Sequence, residues 1–313
     1  MDSEADLLSL NNIPPDHRSG YVALVGKPNV GKSTLLNAWL GAKIAAVSPK
    51  PQTTRNRLLG ILTRDDAQAI FVDTPGIHLP RTKLGDYMVD EARRAIPDAD
   101  VVMFIVDIST PPTQADIAIA DLLRALRAES VILTLNKADL AAPEALEGHR
   151  IAYEALGPFT ATRAISALDG AQCDRLLELV IAKLPLGPRY YPADQLSDQQ
   201  ERFIAAELIR EQALKLLEQE VPHALAVLVD EFKERPNNIT YIAATLYVEK
   251  DSQKGIVIGR EGSMLKRIGK EARLALEDFL GGPVYVELWV KVRKNWRHNE
   301  RDLRQFGYTG RED

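Results

Sequence analysis

From Tyr21 onward the chain alternates short β-rich runs with longer stretches of helical period. The apolar runs are "YVALVG", "QAIFVDT", "VVMFIVDIS", "SVILTLNK" and "TATRAISA". Between them, Lys32–Leu40 and Thr113–Leu126 repeat apolar residues at the three-to-four spacing of an amphipathic helix. Strand, loop and helix repeated in this way predict an α/β fold with a mainly parallel sheet and helices on both faces. The proline-bearing run "KLPLGPRYYPADQLSD" has no useful period and reads as a linker. Beyond it the pattern changes. A helix over Glu201–Gln219 is followed by strands over Ala224–Phe232 and Ile239–Val248, a short helix, a glycine turn, a helix over Met264–Leu280, and the strand "VYVELWVKV". That order, α-β-β-α-α-β, predicts a separate α+β domain. The expected organisation is a flexible lead-in over 1–19, a first domain over 20–186, a linker over 187–200 and a second domain over 201–313.

Composition narrows the class. With 313 residues, 45% of them hydrophobic and 27% charged, the chain is long enough for two cores. The net charge of -5 excludes a uniformly basic surface, so a nucleic-acid site must be argued from a local patch. The single cysteine, Cys173, can neither close an intramolecular disulfide nor build a thiolate metal site by itself. The acidic start "MDSEADLLSL" is unlike a signal peptide, and no apolar run approaches the ~18 residues of a spanning helix. The expectation is a cytoplasmic protein.

Gly26–Ser33, "GKPNVGKS", matches G-x-x-x-x-G-K-S between an apolar strand and a helix. In such a loop Gly26 and Gly31 let backbone N–H groups converge on phosphate oxygens, with Pro28, Asn29 and Val30 as the binding residues between them. Lys32 reaches the β- and γ-phosphates, Ser33 offers its hydroxyl to Mg²⁺, and Thr34 opens the helix. "VDTPG" puts Asp73, Thr74, Pro75 and Gly76 at another strand end, with Asp73 suited to a Mg²⁺-bound water and the Gly76 N–H to the γ-phosphate. The loop "PKPQTTRNR" carries Thr53 and Thr54 as alternative ligands to close the Mg²⁺ shell, Thr54 being favoured. Lys50, Arg55 and Arg57 read as solvated charges on that loop. "NKAD" supplies Asn136, Lys137 and Asp139, and Asp139 can accept from the two donors of guanine that adenine lacks. "ISAL" brings Ser166, Ala167 and Leu168 to the base. The ligands expected are therefore GTP or GDP and Mg²⁺.

A second glycine loop, Ile258-Gly259-Arg260-Glu261-Gly262, lies between two helices and lacks the lysine–hydroxyl pair of a phosphate loop. It fits the G-x-x-G turn of KH domains, which clamps about four single-stranded nucleotides, and the element order is that of type II. Residues 250–273 carry seven Lys or Arg, among them Lys254, Lys266, Arg267 and Lys270, against three acids. The acidic average conceals a basic face. Farther on, Lys294, Trp296 and Arg297 either grip phosphate and stack on bases or pack as part of a C-terminal helix.

In these motifs the chain resembles the translation-factor-related GTPases, and within them, from "GKPNVGKS", "PQTTR", "DTPG" and "NKAD" to "ELWVKVRKNW" and "ERDLRQFGY", the Era family. The resemblance implies a P-loop GTPase domain joined to a type II KH domain, binding to the 3′ end of 16S ribosomal RNA, and a role in assembly of the 30S ribosomal subunit and rRNA maturation. It also implies a monomer and peripheral association with the inner membrane. Among similar GTPases the position of Asn29 binds K⁺, which would stand in for an arginine finger; Asn29 as a plain turn residue is the alternative. Ile77 stands where Ras-like enzymes place the glutamine that orients water, so slow intrinsic turnover is expected.

Overall fold

The computed structural model describes residues 14–50, 52–77 and 82–308. The chain forms two compact units. The first takes residues up to Gly41, then Asn56–His78 and Met88–Asp198; the second takes Ala42–Arg55, Leu79–Tyr87 and Gln199 onward.

In the first unit, strands β1 (Arg18–Val25), β2 (Leu58–Thr63), β3 (Ala67–Asp73), β4 (Val101–Asp107), β5 (Val131–Asn136) and β6 (Ala161–Ala164) form one sheet in the order β2-β3-β1-β4-β5-β6. Five strands are parallel and β2 is an antiparallel edge paired to β3. Strand β2, the run "LLGILT", was absent from the sequence expectation because its residues show no clean alternation; four of its six are buried. Helices α1 (Lys32–Leu40), α2 (Lys83–Arg94, whose residues to Tyr87 fall in the second unit), α3 (Gln114–Ala125), α4 (Pro143–Glu154) and α5 (Cys173–Ile181) follow in chain order. The central strands are mostly apolar and buried along nearly their whole length, as a sheet covered on both faces requires.

Order begins before Tyr21. Strand β1 starts at Arg18, which pairs with Ala67, and Ser19 and His17 are buried. The part of the lead-in that is described, from Pro14, is thus fixed rather than flexible; residues 1–13 lie outside the described residues. The linker segment is bound as well. Gly187 N–H donates to the His17 carbonyl, Tyr190 and Tyr191 N–H both donate to Gln68 Oε1, and Ile61 N–H donates to the Leu196 carbonyl. Proline removes periodicity, but it does not prevent an extended chain from satisfying a neighbouring strand.

The second unit holds a three-stranded sheet, β7 (Ala226–Arg235), β8 (Ile239–Val248) and β9 (Val284–Val292), with β8 central, antiparallel to β7 and parallel to β9. Helices α6 (Glu201–Leu216) and α9 (Ser263–Leu280) pack on each other, α6 also on β7 and α9 also on β9. The turn of helix α7 (Val221–Ala224) precedes β7, α8 (Asp251–Ile258) precedes the glycine loop, and α10 (Glu300–Gln305) follows β9. Helix α6 ends three residues before the expected Gln219. The predicted order α-β-β-α-α-β is present, with α7 and α10 added.

Candidate nucleotide and RNA sites

All four motif loops of the first unit leave the carboxyl ends of its parallel strands, the edge where open α/β sheets bind ligands. After β1 the chain turns through Gly26–Gly31 into α1. Gly31 has φ 100°, and a Cβ on Gly26 would lie 2.3 Å from the Ile105 carbonyl oxygen, so side chains are excluded at both glycines. Asn29 adopts φ 63°. Pro28 faces Gly76, where a Cβ would meet the Pro28 nitrogen at 2.5 Å, and Ile77 N–H donates to the Gly26 carbonyl at 3.1 Å.

Lys32 is buried, and its ammonium donates to the carbonyls of Gly26 (3.2 Å) and Lys27 (3.1 Å). Burial lowers its pKa from 10.5 to about 8, opposed by the attraction of Asp73. Ser33 Oγ donates to Asp73 Oδ2 at 2.6 Å, so the two candidate Mg²⁺ groups already meet. A hydroxyl and one carboxylate beside a backbone cradle fit an ion that takes its remaining ligands from phosphate and water. Thr74 Oγ1 ties this corner to the Leu24 carbonyl at 2.7 Å, and Thr34 is half-buried in the first turn of α1.

Asn136 joins three loops. Its Nδ2 donates to the Val30 carbonyl at 2.7 Å, and its Oδ1 accepts from Ala167 N–H at 2.9 Å. Lys137, at φ 63°, is clamped to Asp107 at 2.6 Å, and the lysine holds that carboxyl below its usual range against the opposing effect of burial. Asp139 and Leu168 are exposed and Ser166 and Ala167 buried, an arrangement that leaves a carboxylate at the rim for a base edge. Two supports went unseen in the sequence. Asp107 is one; the other is Asp116, whose Oδ2 accepts from Lys27 Nζ, Thr113 N–H and Thr113 Oγ1 at 2.9, 2.9 and 2.6 Å. The T-x-x-D capping pattern at Thr113–Asp116 was the available signal for the latter.

Ile77 is packed against the core of the first unit and offers nothing polar to a water molecule. Thr53 and Thr54 fall in the stretch that belongs to the second unit. Thr53 is buried, its hydroxyl donates to the Lys50 carbonyl at 2.7 Å, and its carbonyl accepts from Arg210. Arg55, expected as a solvated charge, is buried. The correction has a physical cause: backbone carbonyls take up both Nη groups of the guanidinium inside the protein, beside the Trp296 ring.

In the second unit the glycine turn between α8 and α9 needs its glycines. Gly259 (φ 72°) would place a Cβ 2.7 Å from the Met264 nitrogen, and Gly262 has φ 78° in open space. Arg260, Glu261, Lys266, Arg267 and Lys270 are exposed around it, with Ile258 and Lys254 half-buried. This is a basic helix face beside a turn at which another backbone can approach closely. The C-terminal candidates divide. Lys294 is exposed, whereas Arg297 is paired with Glu249 at 2.5 Å. Trp296 is wholly buried, its Nε1 donating to the Ala224 carbonyl at 2.9 Å and its ring meeting Phe306 edge-on. It is not available to stack on a base, so packing is the correct alternative for this residue.

Comparison with known proteins bears on both sites. Residues 21–137 match the family model described as 50S ribosome-binding GTPase, and residues 220–297 match the KH domain. A crystal structure of Era in complex with MgGDPNP and nucleotides 1506–1542 of 16S ribosomal RNA is 41% identical, with a TM-score of 0.90, over 94% of this chain and 100% of that one. The chain belongs to the Era family. An Aquifex aeolicus Era variant bound to GDP and AlF4⁻ is 40% identical over the same shares, with a TM-score of 0.89. Membership in the Era family accounts for the pairing of a phosphate-loop unit with a KH unit in one chain.

Proposed function

We propose that this chain is a GTP-hydrolysing switch that binds the 3′ region of 16S ribosomal RNA through its KH unit and assists 30S subunit assembly and rRNA maturation. The observation that carries the reading is the coexistence of the Lys32–Ser33–Asp73 corner with the Gly259–Gly262 turn. The RNA assignment rests on the Era complex, whose RNA is the 16S 3′ region and whose whole length matches, rather than on the narrower "50S" wording of the GTPase model.

Mg²⁺ supplies charge neutralisation on the β- and γ-phosphates when bound. The chain's own part is positioning. Ser33 and Asp73 would hold the ion, the backbone N–H groups of the Gly26–Gly31 loop other than Pro28 would cradle the phosphates, Gly76 N–H would serve the γ-phosphate, and Thr54 (with Thr53 the alternative) would close the shell. Lys32 donates to two loop carbonyls, and on nucleotide binding phosphate oxygens would take up its charge. Asp139 reads guanine, with Lys137 held beside it by Asp107. With Ile77 in the glutamine position, Asn29 would hold a K⁺ ion, which would supply charge compensation. Replacing K⁺ by Na⁺ should then slow hydrolysis several-fold, and equal rates would leave Asn29 a turn residue.

On the RNA side, Ile258–Gly262 clamp the strand and Lys254, Lys266, Arg267 and Lys270 hold phosphates, with Lys294 at the edge. A cytoplasmic location suits the single thiol, Cys173, which is free and buried. Among the described residues no helix is long and apolar enough to cross a membrane; peripheral inner-membrane association and the monomeric state stand on the family resemblance. The test is multiple-turnover phosphate release from GTP against ATP. Turnover with GTP that Lys32→Ala abolishes is the expected result. A chain that binds guanine nucleotide and releases no phosphate would instead be an RNA-binding scaffold with a structural nucleotide.

A further inference from the structure

The connector that runs from the end of β4 at Asp107 into the first turn of α3 contains none of the four motif loops, yet it grips two of them within the first unit. At its start, Asp107 lies opposite Asn136 in the β4–β5 register. Asp107 Oδ2 accepts from Lys137 Nζ at 2.6 Å, while its Oδ1 accepts from Ser109 N–H (3.1 Å) and Ser109 Oγ (2.6 Å) and is thereby held in place. Lys137 needs such a partner, because its φ of 63° is a left-handed conformation that a lysine enters only at a cost. From that conformation its carbonyl accepts Leu140 N–H at 3.0 Å and so sets the single turn Ala138–Leu140 on which Asp139 stands. At the far end of the connector Asp116 is wholly buried. Its Oδ2 accepts from Lys27 Nζ at 2.9 Å, and its Oδ1 has no hydrogen-bond partner among the described residues. A buried carboxylate stays charged only beside a cation, and Lys27 supplies it. The Lys27 carbonyl in turn accepts from Lys32 Nζ at 3.1 Å, so Asp116 stands two contacts from the ammonium that meets phosphate.

We propose that this connector is a positioning element of the nucleotide site, in which Asp107 sets the base loop through Lys137 and Asp116 sets the phosphate loop through Lys27. This rests on the function proposed above. Both carboxylates act through a lysine, and their effects on the ligand differ. Freed from Asp107, Lys137 relaxes toward negative φ and displaces Asp139, so the reading of the guanine edge is impaired. Freed from Asp116, Lys27 lets its carbonyl drift from Lys32, and phosphate is held less well whatever base is attached. Two merely structural ion pairs would lower stability and leave both of these properties alone.

The test measures the affinity of the full chain for GDP and for IDP, whose hypoxanthine lacks the exocyclic amine that Asp139 is expected to read. Asp107→Asn should weaken GDP about 10-fold and shrink the preference for GDP over IDP several-fold. Asp116→Asn should weaken both nucleotides about 10-fold and leave that preference intact. Each loss should vanish once the lysine is already gone: Asp107→Asn adds nothing to Lys137→Ala, and Asp116→Asn adds nothing to Lys27→Gln. Thermal denaturation shows which chains are folded, and Lys27→Gln breaks the second pair from the loop side should Asp116→Asn fold poorly. Folded variants with wild-type affinities, losses that add in the double variants, or the same change of base preference from both ends of the connector overturn the proposal. A wild type that binds no GDP, or binds IDP equally well, refutes the proposed function itself, which separates the two failures.

Discussion

Lys32→Met should make the nucleotide-free protein more stable while abolishing GTP binding. Lys32 is buried, with 6% of the residue exposed, and burial lowers its pKa from 10.5 to about 8. At about 1.4 kcal/mol per pH unit, keeping it protonated in the folded chain costs about 3 kcal/mol. Methionine fills a similar volume without charge, but the Gly26 and Lys27 carbonyls lose their donor, at about 1 kcal/mol each. The net expectation at pH 7 is a gain of about 1 kcal/mol. The sign of the pH dependence follows from the lowered pKa. Below about pH 8 both folded and unfolded lysine are charged and the penalty is complete; between 8 and 10.5 the unfolded chain holds more protons, so wild-type stability rises with pH relative to the variant. Urea denaturation of both proteins, stripped of nucleotide and Mg²⁺, at pH 7, 8 and 9.5 measures the difference. A difference that does not change with pH, or a variant less stable at pH 7, would refute the reasoning about burial.

Other outcomes follow from individual contacts. Asp139→Asn should weaken guanine nucleotide and favour xanthosine nucleotide, because donor and acceptor are exchanged at the base edge; competition binding reads this, and unchanged guanine preference removes Asp139 from that role. Gly259→Asp with Gly262→Asp should abolish RNA binding in a gel-shift titration and leave GTP hydrolysis measurable, since both positions lie at positive φ and the first has no room for a Cβ. Trp296→Ala should lower stability by about 3–5 kcal/mol in thermal or chemical denaturation, the range for a buried aromatic. A Trp296→Ala chain of wild-type stability with weakened RNA binding would restore the stacking role.

How much was legible depended on whether the signal was local. The phosphate loop, "NKAD" and the glycine turn are short because their chemistry is backbone geometry at a strand or helix end, and each lies at the predicted element boundary. Helix α1 and strand β8 have the predicted limits because their apolar patterns are unbroken. What escaped was long-range. Arg55 and Asp116 are polar in sequence and buried in space, each bonded to partners whose proximity only the fold creates. Trp296 among basic residues resembles a stacking platform until Ala224, Phe306 and Tyr308 are brought to it. The linker was read as free chain for the same reason: its partners are Gln68 and the backbone of β1 and β2, more than a hundred residues earlier.

The central claim, a guanine-nucleotide switch joined to a clamp for the 16S 3′ region, is tested most directly by titrating the full chain with that single-stranded RNA, first loaded with GDP and then with a non-hydrolysable GTP analogue. The account predicts saturable binding that is tighter with the analogue and is lost in the Gly259→Asp, Gly262→Asp chain. Binding that survives those two substitutions, or no binding in either nucleotide state, would contradict it.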